Sequence, residues 1–357
     1  MFTLGAPLAG LGLCELVLRW LLFSGSSLAM SWGSSFRDPS LYVASVNTDE
    51  YHKLKVRLLP ELDMVKAKPH PELGWVGRWL DPVTLRQADE QRLGQRRPVL
   101  LFGSSYAACS QSREKCFQQY LRESELGNRL ALLNFAVGSY GPDQMLMLME
   151  RVLDRFVERN PIVVLALVED ADPRRTTHSL FNLPKPRFVQ GAGGFEVVHP
   201  DVLNRDEYVA RHGIGIRSYL WRYLRYGVEL FPGVREERLE LAGRMREERT
   251  VLMQHCMTEF SAHARAAGLD HFVLLFHTQS SYATGEREPS PECDELKAFL
   301  ERASIPCFDS QATVERHLAA TGASIEDLTV NDHPNERGTE VLFGALLEGL
   351  APFVSAR

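Results

Sequence analysis

Apolar residues gather into five short runs, at 98–102, 131–136, 162–168, 272–276 and 305–308. None alternates with polar residues, which is the pattern of strands covered on both faces. Between the runs lie segments of helical period, at about 113–126, 143–159, 240–267, 291–303 and 336–353. In one of them Gln144, Met145, Met147, Leu148, Arg151, Val152 and Leu153 share helical spacing, and Pro142-Asp143 supplies a start signal. Alternating strands and helices predict an α/β fold, an open parallel sheet with helices on both faces. Ligands of such sheets bind outside the carboxyl ends of the strands.

The rest of the chain reads differently. Residues 33–95 are polar, with turns marked by Pro69, Pro71, Gly74 and Pro82, and form a lead-in to a main domain at 96–357. A long insertion at about 171–238 separates the third strand from the fourth. Inside it, Arg187–Gln190 and Phe195–Val198 flank a Gly-rich turn and predict a hairpin. The aromatic and basic stretch Tyr219–Tyr226 has the character of a helix with one packed and one solvated face.

Residues 2–23 are mostly apolar, interrupted by Glu15 and Arg19. A helix of that length, rising about 1.5 Å per residue, just crosses a hydrocarbon core of about 30 Å. Glu15 and Arg19 stand four apart and can pair on one face, with Arg19 reaching toward a headgroup. The expectation is a membrane anchor over residues 1–32, with the lipid bilayer as partner through 2–23. Arg19 and Arg37 are too few to fix its orientation, although read literally they would keep the globular part in the cytoplasm.

Composition narrows the class. The 357 residues are 45% hydrophobic, enough for a sizeable core. The net charge of −6 and the dispersed basic residues leave no footprint for nucleic acid. The six cysteines, at 14, 109, 116, 256, 293 and 307, show no metal-ligand spacing and are expected to be free thiols. Neither a Walker motif nor GxGxxG follows the first strand, and no cofactor or metal is implied.

The candidate chemistry sits at the strand ends. The first strand runs into Gly103-Ser104-Ser105-Tyr106, the second into Asn134 and then Gly138-Ser139-Tyr140-Gly141-Pro142-Asp143-Gln144. The third ends at Val168-Glu169-Asp170, and Asn331-Asp332-His333-Pro334-Asn335 precedes the last helix. A serine and a histidine at one sheet edge can act as nucleophile and base, because a serine hydroxyl is barely ionised at neutral pH.

These blocks, in this order and with Glu72-Leu73-Gly74-Trp75 ahead of the domain, resemble the SGNH (GDSL-like) hydrolase superfamily, in particular its bacterial membrane-anchored members. The resemblance spans roughly residues 70–353. It implies a three-layer α/β/α fold with a five-stranded parallel, flavodoxin-like sheet. It implies Ser105 as nucleophile, His333 as general base, and backbone N–H groups of Ser105 and Ser139 as oxyanion donors, with Gly103 and Gly138 lining the site. The implied reaction is ester hydrolysis or acyl transfer on a small ester or O-acylated glycan. The implied setting is the bacterial inner membrane, with the domain on the periplasmic side and possible membrane-protein partners.

Four departures from the family pattern bear on that reading. Ser104 and Ser139 replace an Asp and a Gly. The family's Asn after the third strand, a donor to the oxyanion, aligns with Glu169, followed by Asp170. An ionised carboxylate there repels an oxyanion, where a proper donor is worth about 2.7–4 kcal/mol. The family's Asp two or three residues before the histidine is missing, leaving Asp332 and Asn331 as equal candidates to orient His333. The alternative expectation is therefore a catalytically impaired domain that serves in binding or assembly at a membrane.

Overall fold

The computed structural model describes residues 5–46, 48–58, 68–77, 79–112, 115–169, 176, 185–202, 205–282 and 291–355. The chain divides into two compact units. One holds Met1–Val65, Thr177–Lys185 and Pro200–Glu248; the other holds Lys66–Thr176, Pro186–His199 and Arg249–Arg357.

The second unit is built on a parallel sheet of β1 (Arg97–Gly103), β2 (Leu130–Asn134), β3 (Ile162–Val168), β4 (Asp270–Phe276) and β5 (Cys307–Asp309), in the order β2-β1-β3-β4-β5. Each of the five apolar runs forms one of these strands. All seven residues of β3 are buried, as continuous Val, Ile and Leu in a doubly covered strand require. In register, Gly103 stands opposite Ala166, Ala166 opposite Leu274, and Leu275 opposite Asp309. The carboxyl ends of β1, β3, β4 and β5 thus reach one edge together.

Val99, Leu101, Val164, Phe272 and Leu274 share a core with Leu342, Leu346 and Leu350 of the last helix, Glu336–Ser355. Each fully buried Leu or Phe contributes about 1.5–3 kcal/mol. Gly103 is required at the end of β1: a Cβ there would stand 2.6 Å from Ala107 Cβ and 2.8 Å from the Ala166 carbonyl oxygen. The expected hairpin forms between Arg187–Gly191 and Gly194–Val198.

The helices differ in detail from the pattern. The segment after Pro142 is α-helical only to Val152, then tightens into two 3₁₀ turns that end at Asn160, whose φ is 49°. The segment expected at 113–126 is α-helical only over Phe117–Glu123. The cysteine reading needs a correction: Cys109 and Cys116 are not free thiols but form a disulfide just ahead of this helix. Cys14, Cys256, Cys293 and Cys307 form no disulfide among the described residues. A helix at Gln311–Thr321 was not expected; Val314 is its buried residue.

The first unit is helical. Its core joins Leu18 and Leu22 of the N-terminal helix Gly5–Phe23 to Tyr42, Val43, Leu54, Leu58, Ile216 and Tyr219. Glu15 and Arg19 pair, at 2.6 Å, but Glu15 has a larger task. Its carboxylate accepts hydrogen bonds from Ser218 Oγ at 2.9 Å and from the backbone N–H groups of Tyr219 and Leu220 at 3.1 and 2.8 Å. It therefore satisfies the free donors at the start of helix Tyr219–Tyr226. Among the described residues no helix is long and apolar enough to cross a membrane. The helix expected to span is docked by one face onto this unit, while Leu8, Leu11, Leu13, Leu16 and Trp20 are exposed on it.

Candidate active site

β1 delivers the buried Ser105 to the carboxyl edge of the sheet. Gly103 lets the chain turn tightly beside β3, and the following residues are held in a closed loop. Ser110 N–H donates to the Ser105 carbonyl at 3.1 Å, and Ser110 Oγ to the same oxygen at 3.0 Å. Asn134, the last residue of β2, fastens the loop from the side. Its Nδ2 donates to the Ala107 carbonyl at 2.8 Å, while its Oδ1 accepts from Ala136 N–H at 3.0 Å. The Cys109–Cys116 disulfide closes the far end.

His333 arrives from the other end of the chain. Thr329–Val330 and His333–Pro334 form a two-residue antiparallel ladder joined by Asn331 and Asp332. Both connecting residues have positive φ, 51° and 58°. A two-residue turn that matches strand twist needs positive φ at both positions, and Asn and Asp tolerate it best. Asn335 then caps the last helix, its Oδ1 accepting from Gly338 N–H at 3.0 Å.

Ser105 and His333 meet. His333 Nε2 stands 2.9 Å from Ser105 Oγ, and His333 Nδ1 stands 2.8 Å from the Asn331 carbonyl oxygen. A carbonyl only accepts, so Nδ1 carries the proton and Nε2 is left to take one from the serine. Asn331 thus orients the ring with its backbone. Asp332 is exposed; its carbonyl accepts from Tyr106 Oη, and its carboxylate has no hydrogen-bond partner among the described residues. The Tyr106 ring lies 5.5 Å from the imidazole, centroid to centroid.

Ser139 takes the left-handed conformation, with φ of 69°, where the family pattern has glycine. The loop is braced by the Leu73-Gly74-Trp75 element. Gln144 Nε2 donates to the Leu73 carbonyl at 2.8 Å, Trp75 Nε1 donates to the Gly138 carbonyl at 3.3 Å, and Tyr140 Oη donates to the Trp75 carbonyl. Neither the Ser105 nor the Ser139 backbone N–H donates to a backbone carbonyl among the described residues. Two unspent donors are what an oxyanion hole needs.

Glu169 is 4% exposed and committed elsewhere. Its Oε2 lies 2.7 Å from His277 Nδ1, and Ser281 Oγ donates to its Oε1. Burial works to raise its pKa, but the hydrogen bonds and charge of His277 and the Ser281 hydroxyl outweigh it, and the carboxyl stays below its ordinary range. On the other side of the ring, His277 Nε2 lies 2.6 Å from Asp309 Oδ1, and Lys297 Nζ pairs with Asp309 Oδ2. Burial disfavours the imidazolium, yet Asp309 and Glu169 together push the His277 pKa up to about 9. Asp170 lies outside the described residues. Asp309, Ser281, Lys297 and Cys293 were not foreseen as neighbours of Glu169; the one signal was that His277 and Asp309, like Glu169, end parallel strands.

No protein-family model and no curated protein matches the chain. Solved structures are similar at low identity. A Bacillus subtilis protein aligns at 12% identity and a TM-score of 0.42, over 72% of this chain and 56% of that one. The acetylxylan esterase Axe2 from Geobacillus stearothermophilus aligns at 11% and 0.36, over 71% and 94%. The psychrotrophic esterase EstA from a Pseudoalteromonas species aligns at 13% and 0.37, over 72% and 99%. At such values function rests on the side chains themselves.

Proposed function

We propose that this chain is a serine esterase or acyl-group transferase, with Ser105 as nucleophile and His333 as general base. One observation carries the reading: Ser105 Oγ lies 2.9 Å from a histidine nitrogen whose ring partner is fixed on a carbonyl. The serine oxygen attacks the ester carbonyl while Nε2 takes its proton. The N–H groups of Ser105 and Ser139 receive the oxyanion, and Nε2 returns the proton to the leaving alkoxide. Water or a second hydroxyl then accepts the acyl group. The sequence resemblance points to small esters and O-acylated glycans as the substrate class.

We also place the protein at a bilayer, through the exposed apolar face of helix Gly5–Phe23 and its neighbours Leu28, Met30 and Trp32. The Cys109–Cys116 disulfide favours an oxidising compartment, in keeping with a periplasmic domain. Flotation with lipid vesicles tests this: the full chain floats, and a chain lacking residues 1–32 does not.

The test of chemistry is labelling by a fluorophosphonate. Wild type is labelled, and Ser105→Ala and His333→Ala are not. A folded wild type that resists labelling favours the second reading, a binding or assembly domain, for which the observation is Glu169 in place of a side-chain donor.

A further inference from the structure

At the carboxyl ends of β3 and β4, beside the helix Pro291–Arg302, lies a buried cluster that the Ser105–His333 pair does not use. A carboxylate oxygen of Glu169, a ring nitrogen of His277 and the sulfur of Cys293 all lie within 4.8 Å of one another, and all three residues are buried. We propose that Glu169, His277 and Cys293 form a zinc site.

The donor set selects the ion. One oxygen, one nitrogen and one sulfur suit borderline-soft Zn²⁺, whereas calcium and magnesium take oxygen ligands. The surroundings match those of a metal-ligating histidine. His277 Nδ1 faces Glu169, and its other nitrogen is backed by the Asp309 carboxylate at 2.6 Å, an arrangement that fixes the ring and raises its basicity as a ligand. Asp309 is itself held by Lys297 and by the Gln311 N–H at 2.9 Å, and the second oxygen of Glu169 accepts from Ser281.

Charge decides whether an ion can enter. Both ring nitrogens of His277 face carboxylates, so the ring carries two protons and one positive charge. With Lys297 it balances Glu169 and Asp309. Zinc brings two positive charges. It displaces the Nδ1 proton, replacing the 2.7 Å contact to Glu169, and the Cys293 thiol proton. Two protons leave to solvent as one Zn²⁺ enters, with no change of oxidation state. The cluster is neutral before and after, so no unpaired charge is left buried. Three protein ligands leave the fourth tetrahedral position to water.

The test uses the full chain, stripped with a chelator. Zinc is titrated against a chromophoric competitor, and cobalt is titrated in parallel to read the near-ultraviolet thiolate-to-metal band. The expected result is one ion per chain with a cobalt–thiolate band. In Cys293→Ser the band disappears and zinc binding weakens at least 100-fold. Asp309→Asn, which keeps all three ligands, weakens zinc by about 10–100-fold. Zinc uptake absent from the wild type overturns the site, as does a band that persists unchanged in Cys293→Ser, which would assign it to Cys14, Cys256 or Cys307. If Cys293→Ser fails to fold, Asp309→Asn still tests the site, and a wild type without the cobalt–thiolate band overturns it. Ser105→Ala binds zinc as the wild type does, so loss of the esterase reading leaves the site standing.

Discussion

Replacing Asp332 by asparagine separates two ways of holding the base. Where a buried carboxylate fixes the imidazole of a serine hydrolase, changing it to an amide costs about 10⁴-fold in kcat, chiefly through the wrong tautomer. At about 1.36 kcal/mol per tenfold, that is about 5.4 kcal/mol. Here His333 Nδ1 donates to the Asn331 carbonyl at 2.8 Å, so the tautomer does not depend on the side chain at 332. What remains is the field of an exposed charge. By Coulomb's law in water, a unit charge at a separation of about 6 Å is worth only about 0.7 kcal/mol, close to threefold in rate, and we take that as the scale for an exposed carboxylate. Asp332→Asn is therefore expected to keep kcat on a chromogenic acetate ester within about threefold of wild type, with the fold checked by circular dichroism. Asparagine also tolerates the positive φ of 58° at this turn position, so the hairpin survives. A drop of a thousandfold in a folded variant would refute the reasoning and show that the carboxylate reaches Nδ1.

The remaining expectations test the frame around the site. Cys109→Ser with Cys116→Ser opens a loop of separation 7, which the chain-entropy relation puts at about 2 kcal/mol; the melting temperature should fall by about 5 °C, and an unchanged value would mean the bridge adds nothing. Gln144→Met removes the donor to the buried Leu73 carbonyl and should cost about 1–3 kcal/mol in urea unfolding, whereas a change near zero would separate the Leu-Gly-Trp element from the oxyanion loop. Gly103→Ala drives a methyl to 2.6 Å from Ala107 Cβ and should cost about 1–3 kcal/mol with loss of labelling at Ser105; normal stability and labelling would show that the turn has slack.

The five strands were legible because burial on both faces concentrates apolar residues into short runs, as in Ile162–Val168. The helix Gln311–Thr321 was not, since Val314 alone of its residues is buried and leaves little periodic signal. The Cys109–Cys116 pairing depends on backbone shape, including a φ of 53° at Cys109, and spacing alone does not report it. Asn331 and Asp332 were read for their side chains as candidate orienting groups. Their residue types also fit a two-residue turn, and the turn is what the fold makes of them. Those two uses compete: a residue with positive φ at the tip of a hairpin turns its side chain toward solvent and leaves its carbonyl to do the orienting.

Glu169 shows the same limit from the other direction. In sequence a carboxylate in place of an oxyanion donor reads as an obstacle, because only its chain neighbours at the end of β3 are visible there. In space its partners come from β4 and the helix after it, through His277 and Ser281, with Asp309 from β5 beyond. A charge so neutralised exerts little net field on a developing oxyanion, since the imidazolium cancels it at close range. The cost is the missing third donor rather than repulsion. One donor is worth about 2.7–4 kcal/mol, so under the proposed esterase reading a site with two backbone donors and a carbonyl-held base is expected to cleave an ester about 10²–10³ more slowly than one with three donors.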